Sequence, residues 1–259
     1  AMSESTGTID VGGTAVAWRQ RAGSGTGVCW LGGYRSDMAG TKAEAIDAWA
    51  AAGTRPFLRH DYSGHGVSGG AFEDGTISRW LAESLAVFRA RTSGPQVLVG
   101  SSMGAWIALR MVAELTADGG NRSPVAGLLL IAPAPDFTVE LIEPRLTPAM
   151  RDEIERTGRL VEPSEYGPEP TVYTRALIED GRLNRVMGGR IDTFCPVHIL
   201  QGMRDPDVPH THALKLAGLL PADDVTLTLV PDGDHRLSRP QDIALMLRAL
   251  DALVSRGGE

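Results

Sequence analysis

Short apolar runs alternate along this chain with segments whose apolar residues recur every third or fourth position. Runs of four to seven apolar residues bounded by turn residues read as buried strands, and the 3.6-residue recurrences read as amphipathic helices. Residues 8–11 and 14–18 flank Gly12-Gly13 and predict an antiparallel hairpin. Strands are then predicted at 27–31, 56–60, 96–99, 125–131, 196–201 and 225–230. Helices are predicted at 42–52, stopped by Gly53, and at 76–91, with Ile77, Leu81, Leu85 and Phe88 on one face. Further helices are expected at 104–115, 212–219 and 240–254, the last with Pro240 at its first position. Strand–helix alternation of this kind implies a mostly parallel sheet covered by helices on both faces.

The rhythm fails between about 135 and 191. Eight prolines fall from Pro133 to Pro196, with charged helical pieces expected at 148–156 and 173–180. The segment reads as a small lid inserted into one α/β domain, whose core is 1–134 and 192–259.

Composition narrows the functional classes. Twenty-five basic against 32 acidic residues give a net charge of -7, without a basic stripe, so neither nucleic acid nor stable membrane association is expected. The N-terminal residues lack the basic and apolar regions of a secretory signal, and LLLIA at 128–132 is too short to span a bilayer. A cytoplasmic protein is expected. Cys29 and Cys195 offer neither zinc-ligand nor disulfide spacing and read as free thiols.

The pattern G-x-S-x-G occurs twice, at Gly66–Gly70 and at Gly100–Gly104. In a chain with 31 glycines the motif alone is weak, and context separates the two matches. A nucleophile elbow needs a strand before it, a helix after it and small flanking residues, because its serine sits in a strained turn. Ser102 follows Val97-Leu98-Val99 and precedes Ala105-Trp106-Ile107, whereas Ser68 has a polar loop before it and no helix directly after. Ser102 is therefore the candidate nucleophile.

A serine hydroxyl needs a base, an acid to orient that base, and donors for an oxyanion. His235 lies in a short loop between a predicted strand and the last helix, where a base belongs. The stretch after 196–201 offers two carboxylates. Asp205 fits a G-x-x-D-x-x-V-P spacing, and Asp207 is its rival. The oxyanion donors should be backbone N–H groups of Met103, which follows the serine, and of Tyr34, which follows Gly32-Gly33. Those glycines allow close backbone approach to substrate, with Gly33 at the contact. Leu141, Ile142, Leu146 and Met150 are the expected apolar contacts from the lid. No metal and no organic cofactor is implied.

The set LGGYRSDMAGTKA, HDYSGHGVSGG, LVGSSMGAW, LQGMRDPDVP and GDHRLS resembles the α/β-hydrolase superfamily. It is most similar to abhydrolase subfamily ten, mitochondrial acyl-glucuronide esterases and protein depalmitoylases, and to bacterial relatives. The resemblance runs from about residue 26 to 250 and is weakest from 135 to 190. It implies Ser102, Asp205 and His235 as a triad, Tyr34 and Met103 as oxyanion donors, and hydrolysis of an ester or acyl thioester through an acyl-enzyme. Where the superfamily commonly has His-Gly, this chain has Gly32-Gly33. An amidase or C–C hydrolase could use the same triad, and a non-catalytic receptor could share the fold.

Overall fold

The computed structural model describes residues 3–120, 122–221 and 224–256. The chain opens with a hairpin of β1 (Glu4–Val11) and β2 (Thr14–Arg21), longer on both arms than the apolar pattern indicates. Gly12 and Gly13 both take positive φ, 59° and 88°, as this two-residue turn requires. Next come β3 (Gly27–Leu31), α1 (Thr41–Gly53), β4 (Phe57–His60), α2 (Ile77–Arg91), β5 (Gln96–Ser101), α3 (Met103–Asp118) and β6 (Val125–Ile131).

Eight strands form one sheet in the order β1-β2-β4-β3-β5-β6, completed by β9 (Val197–Gly202) and β10 (Val225–Val230). Pairing is antiparallel from β1 to β4 through β2 and parallel from β4 to β10. The central strands are covered on both faces, which explains their unbroken apolar runs. Alternate residues feed two cores. Leu98, Leu128 and Leu130 pack with α2, α3 and α6 (His210–Leu219). Val97, Val99 and Leu129 pack with α1 and α7 (Pro240–Arg256) on the other face.

Two local expectations are corrected. Gly53 is the last residue of α1 rather than the one beyond it, and Thr54 takes the left-handed cap conformation at φ 54°. The Ser24 N–H bonds to Thr54 O at 3.0 Å, so contact with the preceding loop fixes this end.

The second correction falls in 135–191. Helix α4 (Pro148–Thr157) is present, but Tyr173 is not helical. Strand β8 (Thr171–Thr174) pairs antiparallel with β7 (Arg159–Glu162), and only then does α5 (Arg175–Leu183) begin. The Thr174 hydroxyl caps α5 by accepting the Leu177 N–H, and the β-branched and aromatic run before it suits a strand. The base of this excursion is closed by buried Asp136, whose carboxylate accepts the N–H groups of Val186 and Met187. Among the described residues no helix is long and apolar enough to cross a membrane.

Candidate active site

Because β5, β6, β9 and β10 are parallel, their carboxyl ends share one edge of the sheet, where loops can converge. Strand β5 ends at Ser101 and α3 begins at Met103, which leaves Ser102 alone in the turn at φ 56°, ψ -116°. This backbone is costly for a non-glycine residue and persists only where the surroundings enforce it. A side chain at Gly100 would meet Gly104 O at 2.5 Å, and one at Gly104 would meet Leu31 O at 1.9 Å. The elbow thus needs both glycines. The Ser102 N–H bonds to Ile131 O at 2.9 Å, and Ser102 O accepts from Ala134 at 3.1 Å. Ser102 precedes α3 without capping it through its side chain, so its hydroxyl is not spent on the helix.

Ser68 has a different occupation. Its Oγ accepts the Ala17 N–H at 2.8 Å and donates to Asp61 O at 2.7 Å, joining β2 to the 61–69 loop.

Past β10, His235 Nδ1 bonds to Asp205 Oδ2 at 2.7 Å, with the carboxylate side chain fully buried and the imidazole side chain 17% exposed. Asp205 Oδ1 accepts the N–H groups of Asp207 and Val208 at 2.8 and 2.9 Å, and Gln201 Nε2 donates to Oδ2 at 3.2 Å. Asp207 is exposed and accepts the Tyr166 hydroxyl at 2.5 Å instead. The loops carrying Asp205 and His235 are sewn together by Met203 N–H to Val230 O and Arg204 N–H to Gly233 O, each 2.9 Å. Gly202 permits this approach, since a side chain there would lie 2.4 Å from Gly233 O. Lys42, at the start of α1, donates to Arg236 O beside His235, and burial lowers its pKa to about 8.

Three other histidines are engaged structurally. His60 bonds Ser84 Oγ, His198 bonds Thr228 Oγ1, and His212 bonds Pro135 O. Among the described residues one group has metal-compatible spacing: Asp205, Asp207 and His235. Two of its members bond each other and the third accepts from Tyr166, so these donors already hold the pattern of an oriented base.

The loop after β3 reaches the elbow directly. The position of a Cβ on Gly33 would be 3.5 Å from both Ser102 Cβ and Ser101 O. Tyr62 hydroxyl holds Gly32 O at 2.8 Å, and the Ser36 N–H closes a turn on Gly33 O at 3.1 Å. Met103 begins α3, so its N–H has no acceptor within the helix. The Tyr34 N–H likewise has no internal partner among the described residues.

The Tyr34 side chain was not anticipated as a contact. Its hydroxyl donates to Val172 O in β8, and its ring stacks on Tyr173 at 5.6 Å between centroids. Phe72 and Phe137 flank it at 5.0 and 6.0 Å. These rings come from four distant stretches of sequence, and no local pattern marks them. Of the apolar residues expected in the pocket, Leu141 and Leu146 are half-buried against the main core and Ile142 is buried within it. Met150 packs with Leu146 and Tyr173 on the separate cluster Ile154, Leu160 and Ile178.

The alpha/beta hydrolase family model matches residues 22–245. The chain is 32% identical over 244 residues to a mouse protein, palmitoyl-protein thioesterase ABHD10, mitochondrial, covering 93% of this chain and 79% of the relative. The human counterpart of the same name is 30% identical over 242 residues, covering 93% and 77%. A solved structure from Agrobacterium vitis S4 superposes with a TM-score of 0.94 at 57% identity, covering 98% of this chain and 99% of that one. The structure of mouse alpha/beta hydrolase domain-containing protein 10 gives 0.85 at 30% identity, covering 97% and 99%.

Proposed function

The chain belongs to the alpha/beta hydrolase family, and from that premise we propose that it is a serine esterase or thioesterase acting through an acyl-enzyme on Ser102. The observation that carries this reading is the 2.7 Å bond between buried Asp205 and His235, on the same sheet edge as the strained Ser102 elbow.

In this mechanism Ser102 Oγ attacks the acyl carbonyl while His235 Nε2 takes its proton. Asp205 holds the Nδ1–H tautomer and stabilises the imidazolium that forms. The carbonyl oxygen becomes an oxyanion facing the Tyr34 and Met103 N–H groups. Such preorganised donors are each worth about 3 kcal/mol in the transition state. The C–O or C–S bond then breaks, and His235 returns the proton to the departing alcohol or thiol. Water, deprotonated by the same imidazole, attacks the acyl-serine and releases the acid. No metal or organic cofactor enters these steps.

Residues 1–134 and 192–259 are the catalytic core of this reading, and 135–191 is its cap. Leu141 and Leu146 form part of the acyl wall, backed by Ile142 and Met150, with Gly33 on the oxyanion side. The names carried by the mouse and human relatives support a thioester among the substrates.

The test is turnover of p-nitrophenyl esters from acetate to palmitate by wild type and Ser102→Ala. Loss of a nucleophilic serine is expected to lower kcat by about 10⁴-fold or more. Undiminished turnover in Ser102→Ala would sink the proposal.

A further inference from the structure

We propose that His65 is a positioning residue for the oxyanion hole, holding the Tyr34–Arg35 peptide through a bond from the Arg35 N–H to its Nε2. The inference rests on the oxyanion role assigned above to Tyr34.

The bond is 3.0 Å long and joins two loops thirty residues apart in sequence. Arg35 takes φ 65°, a left-handed backbone that an arginine rarely adopts unaided. Something must hold it, and the Nε2 bond lands on the residue directly after the proposed donor. His65 is well suited as a fixed post. It is 4% exposed, and the rings of Trp80, Phe72 and Tyr62 meet its imidazole at centroid distances of 5.1, 5.3 and 5.5 Å. Its Nδ1 lies 3.0 Å from Ser63 O. A carbonyl can only accept, so Nδ1 carries the proton and Nε2 is bare, which is the tautomer Arg35 requires. Burial lowers the imidazole pKa and favours that neutral form.

The loop carrying His65 is itself rigidly built. Asp61 accepts the N–H groups of Met38 and Val67 at 2.8 and 3.0 Å. Gly64 and Gly66 turn through positive φ, and a side chain on Gly66 would strike Asp61 Oδ2 at 2.1 Å. The glycine-rich stretch around Ser68, whose serine is a structural joint, thereby gains a role in the reaction: it supports the oxyanion loop from behind.

The experiment compares kcat and KM on p-nitrophenyl butyrate for wild type, Ser102→Ala, His65→Phe, His65→Asn and His65→Gln. Phenylalanine keeps the ring packing but cannot accept from Arg35. Glutamine places Oε1 near the Nε2 position, whereas asparagine does not reach it. A donor displaced by a fraction of an ångström is expected to cost about ten- to a hundredfold in kcat. His65→Phe and His65→Asn should show that loss with KM little changed, and His65→Gln should recover most of it. Wild-type kcat in His65→Phe, or equal losses in the Gln and Asn variants, would overturn the inference. If His65→Phe does not fold, the Gln and Asn pair decides alone. Activity surviving in Ser102→Ala strikes the serine mechanism itself. An inactive Ser102→Ala beside a fully active His65→Phe strikes only the role of His65.

Discussion

Asp205 and Asp207 are two residues apart and chemically alike, yet the fold gives them opposite surroundings. Asp205 is turned inward because its Oδ1 is taken by the N–H groups of residues 207 and 208 and its Oδ2 by His235. Replacing it with asparagine keeps the shape but offers an amide to the imidazole, which favours the wrong tautomer. A fall of about 10³- to 10⁴-fold in kcat is expected for Asp205→Asn. Asp207→Asn removes an exposed carboxylate that accepts the Tyr166 hydroxyl and does not bond His235, and should stay within about twofold. Measuring kcat/KM of both on one ester checks this, and similar losses would reassign the acid. Spacing alone favoured Asp205 without excluding Asp207, because turn hydrogen bonds that send one carboxylate in and the other out leave no mark in composition. Ser102 was more legible, since its requirement for a strand before and a helix after is written locally. His65 was not legible at all: its significance lies in one contact with a loop thirty positions away.

The sheet and its helices were readable because each strand and helix carries its own period, and errors were confined to ends such as Thr54, where tertiary hydrogen bonds set the boundary. The 135–191 segment resisted the same reading. Its two strands have four residues each, too short to display alternation, and prolines interrupt the pieces between them. What organises it is its seat on the loop after β3: Tyr173 stacks on Tyr34, and Leu146 and Tyr173 touch both the main core and the segment's own cluster. If this element is the acyl wall, Leu146→Ala and Tyr173→Ala should lower kcat/KM for long-chain esters more than for acetate. The stacking lost in Tyr173→Ala is worth about 0.5–1.5 kcal/mol, up to roughly tenfold. Ile142→Ala, inside the main core, should instead cost about 2–5 kcal/mol of stability. A p-nitrophenyl series with thermal melts separates the two effects. An unchanged chain-length profile in both pocket variants would make the segment a surface excursion.

Across the whole molecule, the buried bases push stability in one direction. Burial lowers the pKa of His60 to about 4 and depresses His65, His198 and His212 as well. Between pH 6.5 and 4 the unfolded chain therefore binds more protons at His60 than the folded one, so stability falls as pH drops through that window. His60 alone accounts for about 3 kcal/mol across it. Burial raises the pKa of Asp61 and Asp136, which works in the opposite direction and offsets part of the histidine effect. Lys42, by the same sign, becomes increasingly favourable from about pH 8 to 10.5, but burial raises both Cys29 and Cys195, the latter to about 11, and together these thiols cost more stability from pH 9 upward than Lys42 adds. A maximum between about pH 7 and 9 follows, well above the isoelectric point near 5.4. That separation is informative, because charge repulsion is least at the isoelectric point and would by itself favour the compact state there. Melting temperatures from pH 8 to 5 should fall below 6.5 in wild type. His60→Gln keeps a partner for Ser84 and cannot be protonated, so its acid limb should be shallower. Parallel curves for the two proteins would assign the acid loss to groups other than His60.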